Sequence, residues 1–240
     1  MERRYPLGDR EDLIKNTLLI DLPALRHLDL GMNYGGGDWP STTMIVPLVY
    51  MRLVLQNLEI LVKLMSTSPL SDTLRQLHVQ VHHCIYSSSF PASISALSVE
   101  MINLHTLTLI QYFFSKFSIE WTHFELLTSS KVMPALRRAN IALLMSINDL
   151  SRIRSAPIFI DHRRVEVNFA FSVINCPQYD QMTQFIPCGG RFHTREIVGV
   201  TFVVNKWIDR SKWSTNIDPY VSSHSMIFML RFSYQAEYTV

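Results

Sequence analysis

Apolar and polar positions along the chain recur in one spaced pattern, L-x-x-L-x-L. Its clearest copies are Leu25-x-x-Leu28-x-Leu30, Leu74-x-x-Leu77-x-Val79 and Leu104-x-x-Leu107-x-Leu109. Looser copies are Leu48-x-x-Met51-x-Leu53, Leu136-x-x-Ala139-x-Ile141, His162-x-x-Val165-x-Val167 and Ile197-x-x-Val200-x-Phe202. The residue between the second and third anchors is Asp29, Arg52, His78, Thr108, Asn140, Glu166 and Thr201, polar in every copy. Apolar-polar alternation with period two marks a half-buried strand. Each copy therefore predicts a short strand with its anchors in a core and its middle residue in water. Parallel strands are expected near Leu28–Leu30, Met51–Leu55, Leu77–Val81, Leu107–Leu109, Ala139–Leu143 and Val165–Phe169, neighbours in that order.

Helical spacing appears between these strands. Leu58, Leu61, Val62 and Met65 follow the second strand, and Trp121, Phe124 and Leu127 follow the fourth, inside Ile119–Ser129. Ser146 with Asp149 reads as a weak capping box for a short helix near Asp149–Ser155. Leu13, Ile14, Thr17 and Leu18 suggest an opening helix. Gly35–Pro40 and the Ser-rich Tyr86–Ser95 read as loops. The second anchors are 23 to 35 residues apart, against roughly 20–29 in leucine-rich repeats. The expected fold is α/β: an irregular leucine-rich-repeat-like solenoid with a curved parallel sheet and helices on the outer face. It would occupy residues 1–204, with 205–240 a C-terminal cap or tail.

Composition narrows the function classes. The chain has 240 residues, of which 48% are hydrophobic, enough for a core and against disorder. Its net charge of +2 gives no global drive toward nucleic acid or membrane. Val46–Met65 is the most apolar stretch, but Arg52, Glu59 and Lys63 interrupt it, so no membrane span is expected. The N-terminus lacks the apolar run of a signal peptide. Three Cys and no Asn-x-Ser/Thr acceptor favour an intracellular home, cytoplasm or nucleus.

Candidate chemistry is sparse. His82-His83-Cys84 lacks the paired spacing of a zinc site. Gly35-Gly36-Gly37 runs into Asp38-Trp39-Pro40, which suits no phosphate. Common hydrolase signatures are absent, and no metal or cofactor is expected. Phe113, Phe114, Phe117, Trp121 and Phe124 read as core. The basic positions carry more. The residue after each first anchor is Arg26, Val49, Arg75, His105, Arg137, Arg163 and Val198, with Arg138 and Arg164 adjoining. This column has two readings. One is a solvated edge paired with acids such as Asp29, Asp161 and Glu166. The other is a ladder that holds an acidic or phosphorylated protein segment.

The run from Leu22 to Leu109, entered through Leu22-Pro-x-Leu-Arg-x-Leu28, resembles the leucine-rich-repeat part of F-box proteins. Ile119–Asp161, Asn175–Tyr179 and Phe192–Trp207 resemble the C-terminal halves of one large, divergent group of them. The resemblance implies the substrate-recognition part of a cullin-type ubiquitin ligase receptor, in which the repeats bind the protein to be marked. The chain departs from the family in showing no F-box, since Leu22-Pro23 leads straight into the first copy. A cullin adaptor is thus an expected partner only with an F-box upstream. The repeat's usual Asn is also matched only by Asn33. The reading is a non-enzymatic protein-binding module. Its partner would lie on Asp29, Arg52, His78, Thr108, Asn140 and Glu166 and along the basic rim. The alternatives are an enzyme with a loop-borne site at 35–40 or 86–95, or a fragment with no retained activity. Leu18, Leu19 and Leu22 are expected to leave apolar surface partly uncovered.

Overall fold

The computed structural model describes residues 22, 24–30, 46–67, 69–81, 99–111, 121–145, 149, 152–153, 155–174, 193–197, 200–204, 221–222 and 225–226. The opening helix, the loops at 35–40 and 86–95, the metal-like triplet 82–84, the phenylalanines 113–117, Leu18 and Leu19 all lie outside these residues.

The fold is α/β. Six strands pair in parallel and in chain order: β1 (His27–Asp29), β2 (Tyr50–Leu55), β3 (Gln76–Val81), β4 (Thr106–Gln111), β5 (Arg138–Met145) and β6 (Glu166–Ile174). Leu28, Met51, Leu77, Leu107 and Ala139 stand opposite one another in a single row. All five are buried, as are Leu53, Val79, Leu109 and Ile141 in the next row. Leu30 differs from the expectation. It lies beyond the short edge strand β1 and is 40% exposed. Leu22, at 43%, is exposed as anticipated.

Helices cover the anchor face. α1 (Leu58–Met65) starts at Asn57, whose side chain accepts from the Ile60 N–H at 3.0 Å. Glu59 in its first turn and Lys63 in its last complement the helix dipole. Its buried residues Leu58, Ile60, Leu61, Leu64 and Met65 join the strand anchors in one core. The single turn α2 (Leu70–Thr73) ties back to the segment entering β2 through the Thr73 hydroxyl, which donates to the Leu48 carbonyl at 2.9 Å. α3 (Trp121–Leu127) buries Trp121 and Phe124. α4 (Pro157–Ile160) begins with Pro at a position that needs no N–H donor. At this end the core turns aromatic: Phe169 and Phe171, two apart on β6, stack at 4.8 Å. Trp121 meets Phe171 edge-on at 6.0 Å.

The C-terminal part corrects the repeat count. The seventh copy, Ile197-x-x-Val200-x-Phe202, falls on two strands, β7 (His193–Ile197) and β8 (Val200–Val204), paired antiparallel. β8 also runs antiparallel to β6. Only two residues separate β7 from β8, and a parallel connection needs a dozen or more. The seventh copy is therefore a hairpin closing the sheet's edge. A separate antiparallel pair, β9 (Val221–Ser222) and β10 (Ser225–Met226), follows.

Candidate functional site

The polar face of the sheet is built in rows, because parallel strands in register place one residue from each strand side by side. Asp29, Arg52, His78, Thr108 and Asn140 occupy one such row. Its sixth member is Asn168, not Glu166. Glu166 pairs two residues earlier, opposite Arg138. A shift of two keeps a side chain on its face, so Glu166 stays on this surface but leaves the row.

Four of the row's members, from Asn168 to His78, are linked by hydrogen bonds. Asn168 Nδ2 donates to Asn140 Oδ1 at 3.1 Å. Asn140 Nδ2 donates to Thr108 Oγ1 at 3.0 Å. Thr108 Oγ1 lies 2.9 Å from His78 Nδ1. In the neutral tautomer protonated at Nε2, Nδ1 accepts the Thr108 hydroxyl hydrogen, and all three bonds then run in one direction from β6 to β3. Arg52 and Asp29 close the other end with an ion pair at 3.4 Å. The middle residues were expected in water, but Thr108 and Asn140 are buried, 3% and 4% exposed. Their polar atoms are satisfied sideways by the row and need no solvent. Ala142 and Leu144, further along the same face of β5, are buried too.

Burial sets the chemistry of His78. It pushes the imidazole pKa down to about 4, helped by the Arg52 charge and partly opposed by Asp29. Tyr50 stands over His78 at 5.2 Å and stacks on His27 at 5.7 Å. An unpaired group is costly in such a row. Asn140→Ala is expected to cost about 1–3 kcal/mol, because it strands the Asn168 donor and a Thr108 lone pair. Thr106→Ala, nearer the solvent, should stay within about 0.5 kcal/mol. Denaturant midpoints of the two variants check this, and equal midpoints would contradict it.

Nearer the strands' N-terminal ends runs an exposed to half-buried row: His27, Tyr50, Gln76, Thr106, Arg138 and Glu166. The sequence reading missed its first four members. Their signal was available, since each stands two residues before a middle-row position and so shares its face. Arg138 and Glu166 form a solvent-exposed ion pair at 3.1 Å.

Beside this row lies the basic rim. The backbone fixes it: the N–H groups of Val49, Arg75, His105 and Arg137 each donate to the carbonyl of the preceding rim residue, at 2.8–2.9 Å. The observed column is Arg26, Val49, Arg75, His105, Arg137 and then Val165, whose neighbour Glu166 donates to the Arg137 carbonyl. Arginine thus stands immediately before alternate strands, β1, β3 and β5. All three arginines are exposed, and none forms an ion pair with an acid among the described residues. Arg52, Arg138, Arg152 and Arg163, by contrast, each have an acidic partner.

Arg163 leaves the rim altogether. Its side chain is 3% exposed and paired with Asp161. Nε donates to Asp161 Oδ2 at 2.7 Å, and the two terminal nitrogens donate to the carbonyls of Met133 and Thr128, each at 2.8 Å. Arg164 is exposed with φ of 51°, the left-handed region, at the turn entering β6. Its N–H donates to the Asp161 carbonyl, as Leu136 N–H does to Met133 and Leu104 N–H to Met101. Arg164 therefore occupies the place of a first anchor.

Among the described residues no three His, Cys, Asp or Glu side chains converge as a metal site would require. No described helix is long and apolar enough to cross a membrane. No family model, curated protein or solved structure matches the chain. What the arrangement offers chemically is hydrogen bonding on a polar face and exposed positive charge at the strands' N-terminal ends.

Proposed function

We propose that this chain is a non-catalytic protein-binding module, an irregular leucine-rich-repeat-like solenoid that holds an acidic or phosphorylated segment of a partner protein. By resemblance it would be the substrate-recognition part of a cullin-type ubiquitin ligase receptor, presenting the partner while other subunits do the chemistry. The observation that carries the reading is the rim. Arg26, Arg75 and Arg137 lie in one column, exposed and without acidic partners among the described residues. The exposed row beside them supplies His27, Gln76 and the Arg138–Glu166 pair as flanking contacts.

The test is a titration of a fluorescent Glu-rich peptide and its phosphoserine counterpart against the native protein. Affinity should fall as salt rises, because exposed charge pairs are screened beyond about 8 Å at physiological ionic strength. Arg75→Glu combined with Arg137→Glu should weaken binding by roughly tenfold or more while leaving circular dichroism and melting unchanged. Undiminished binding by the folded double variant would overturn the rim as the site. Recovery of a cullin adaptor from cell extract with the native protein would support the receptor role. Its absence would count against that role and leave the peptide result standing.

A further inference from the structure

The alternation of the rim residues sets a length. Neighbouring strands lie about 4.8 Å apart, so arginines on every second strand stand about 9.6 Å apart. Arg26, Arg75 and Arg137 immediately precede β1, β3 and β5 in this way. Between them lie Val49 and His105, and beyond them Val165, all half-buried. A ligand crossing the strands along this rim meets a cation, then a smaller surface, then a cation again.

Few chain conformations match that repeat. Polyproline II has three residues per turn and a rise of about 3.1 Å, so every third side chain points the same way at about 9.3 Å. A β-strand returns a side chain to one face every two residues, at about 6.6 Å, and its third residue points away. An α-helix returns near the same face after seven residues, at about 10.5 Å, and drifts out of step over two repeats.

Resting on the binding reading above, we propose that the rim recognises a polyproline II segment carrying a carboxylate at every third position, with proline or another apolar residue between. Three carboxylates neutralise three guanidiniums one to one, and each planar pair can be bidentate. The intervening residues rest on Val49 and His105. The acids sit in register over six residues, about 18.6 Å against about 19.2 Å along the rim, a difference the long arginine side chains absorb.

The probe is an acetylated, amidated nonapeptide, (Glu-Pro-Pro)3, with acids at positions 1, 4 and 7. Its control has the same composition with acids at 1, 3 and 5. Anisotropy titrations against the intact protein should show the in-step peptide binding roughly tenfold tighter, because it gains two aligned pairs. Arg75→Ala combined with Arg137→Ala should abolish that preference, since the single remaining arginine has no spacing to match. Equal binding of both peptides would overturn the spacing inference while leaving an acid-binding rim intact. Binding of neither would overturn both.

Discussion

Arg163→Ala is expected to destabilise the protein by about 3–5 kcal/mol, the cost of removing one partner from a buried ion pair. The guanidinium is the common partner of three separated pieces of chain: the Asp161 carboxylate, the Met133 carbonyl in the turn before β5, and the Thr128 carbonyl just after α3. Without it the carboxylate of Asp161 and both carbonyls lose a charge-assisted donor at once. Arg163→Lys should recover only part of the loss, since an ammonium cannot reproduce the planar fork that serves all three acceptors. Arg164→Ala next to it, at an exposed position, should shift stability by no more than about 1 kcal/mol. Urea unfolding of the three variants is the measurement. Comparable midpoints for Arg163→Ala and Arg164→Ala would show that the clasp contributes little.

The second large effect is a dependence on pH. The folded-state pKa of His78 is about 4, below its ordinary value of 6.5, with burial the main cause and Arg52 the next. A histidine depressed in the folded state is neutral in both states above pH 6.5, and there the stability is intact. As pH falls from 6.5 toward 4, the unfolded chain takes up a proton that the folded protein refuses, so stability is lost across this window. The shift corresponds to about 3 kcal/mol. Burial explains most of the refusal, and the Arg52 charge adds to it. A protonated Nδ1 would become a donor, and the buried Thr108 hydroxyl, already accepting from Asn140, would have to turn its hydrogen away from the ring. His78→Gln should flatten the decline. The native protein should lose about 3 kcal/mol more than the variant between pH 7 and pH 4, other groups affecting both alike. Parallel curves would contradict the assignment.

Five of the six parallel strands were legible because their anchors are apolar at fixed spacing and their middle residues polar. Leu28, Met51, Leu77, Leu107 and Ala139 line up as read. The sixth strand was found with its register two residues off. Val167 and Phe169 stand opposite Ala139 and Ile141, where Val165 and Val167 had been expected. Alternation cannot detect such a slip, since a shift of two leaves every side chain on its face. The usual marker, an apolar first anchor, was missing because Arg164 stands there in a left-handed turn. For the same reason Arg163 read as a rim residue. The burial of Thr108 and Asn140 was also hidden. Polar residue type signals water until the neighbours that satisfy it are known, and those neighbours, 28 to 32 residues away, become adjacent only through pairing.

The rim carbonyls have a consequence for how this surface can change. The carbonyls of Arg26, Val49, Arg75 and His105 each receive two N–H groups, one from the next rim residue and one from the residue after it. Main chain alone therefore holds each rim position, whether it carries arginine, valine or histidine. Mutation can rewrite the order of charges along this edge one letter at a time while the sheet beneath stays folded. Under the binding proposed above, preference for one partner over another would be free to drift, diversify and be selected without first passing through an unstable ancestor.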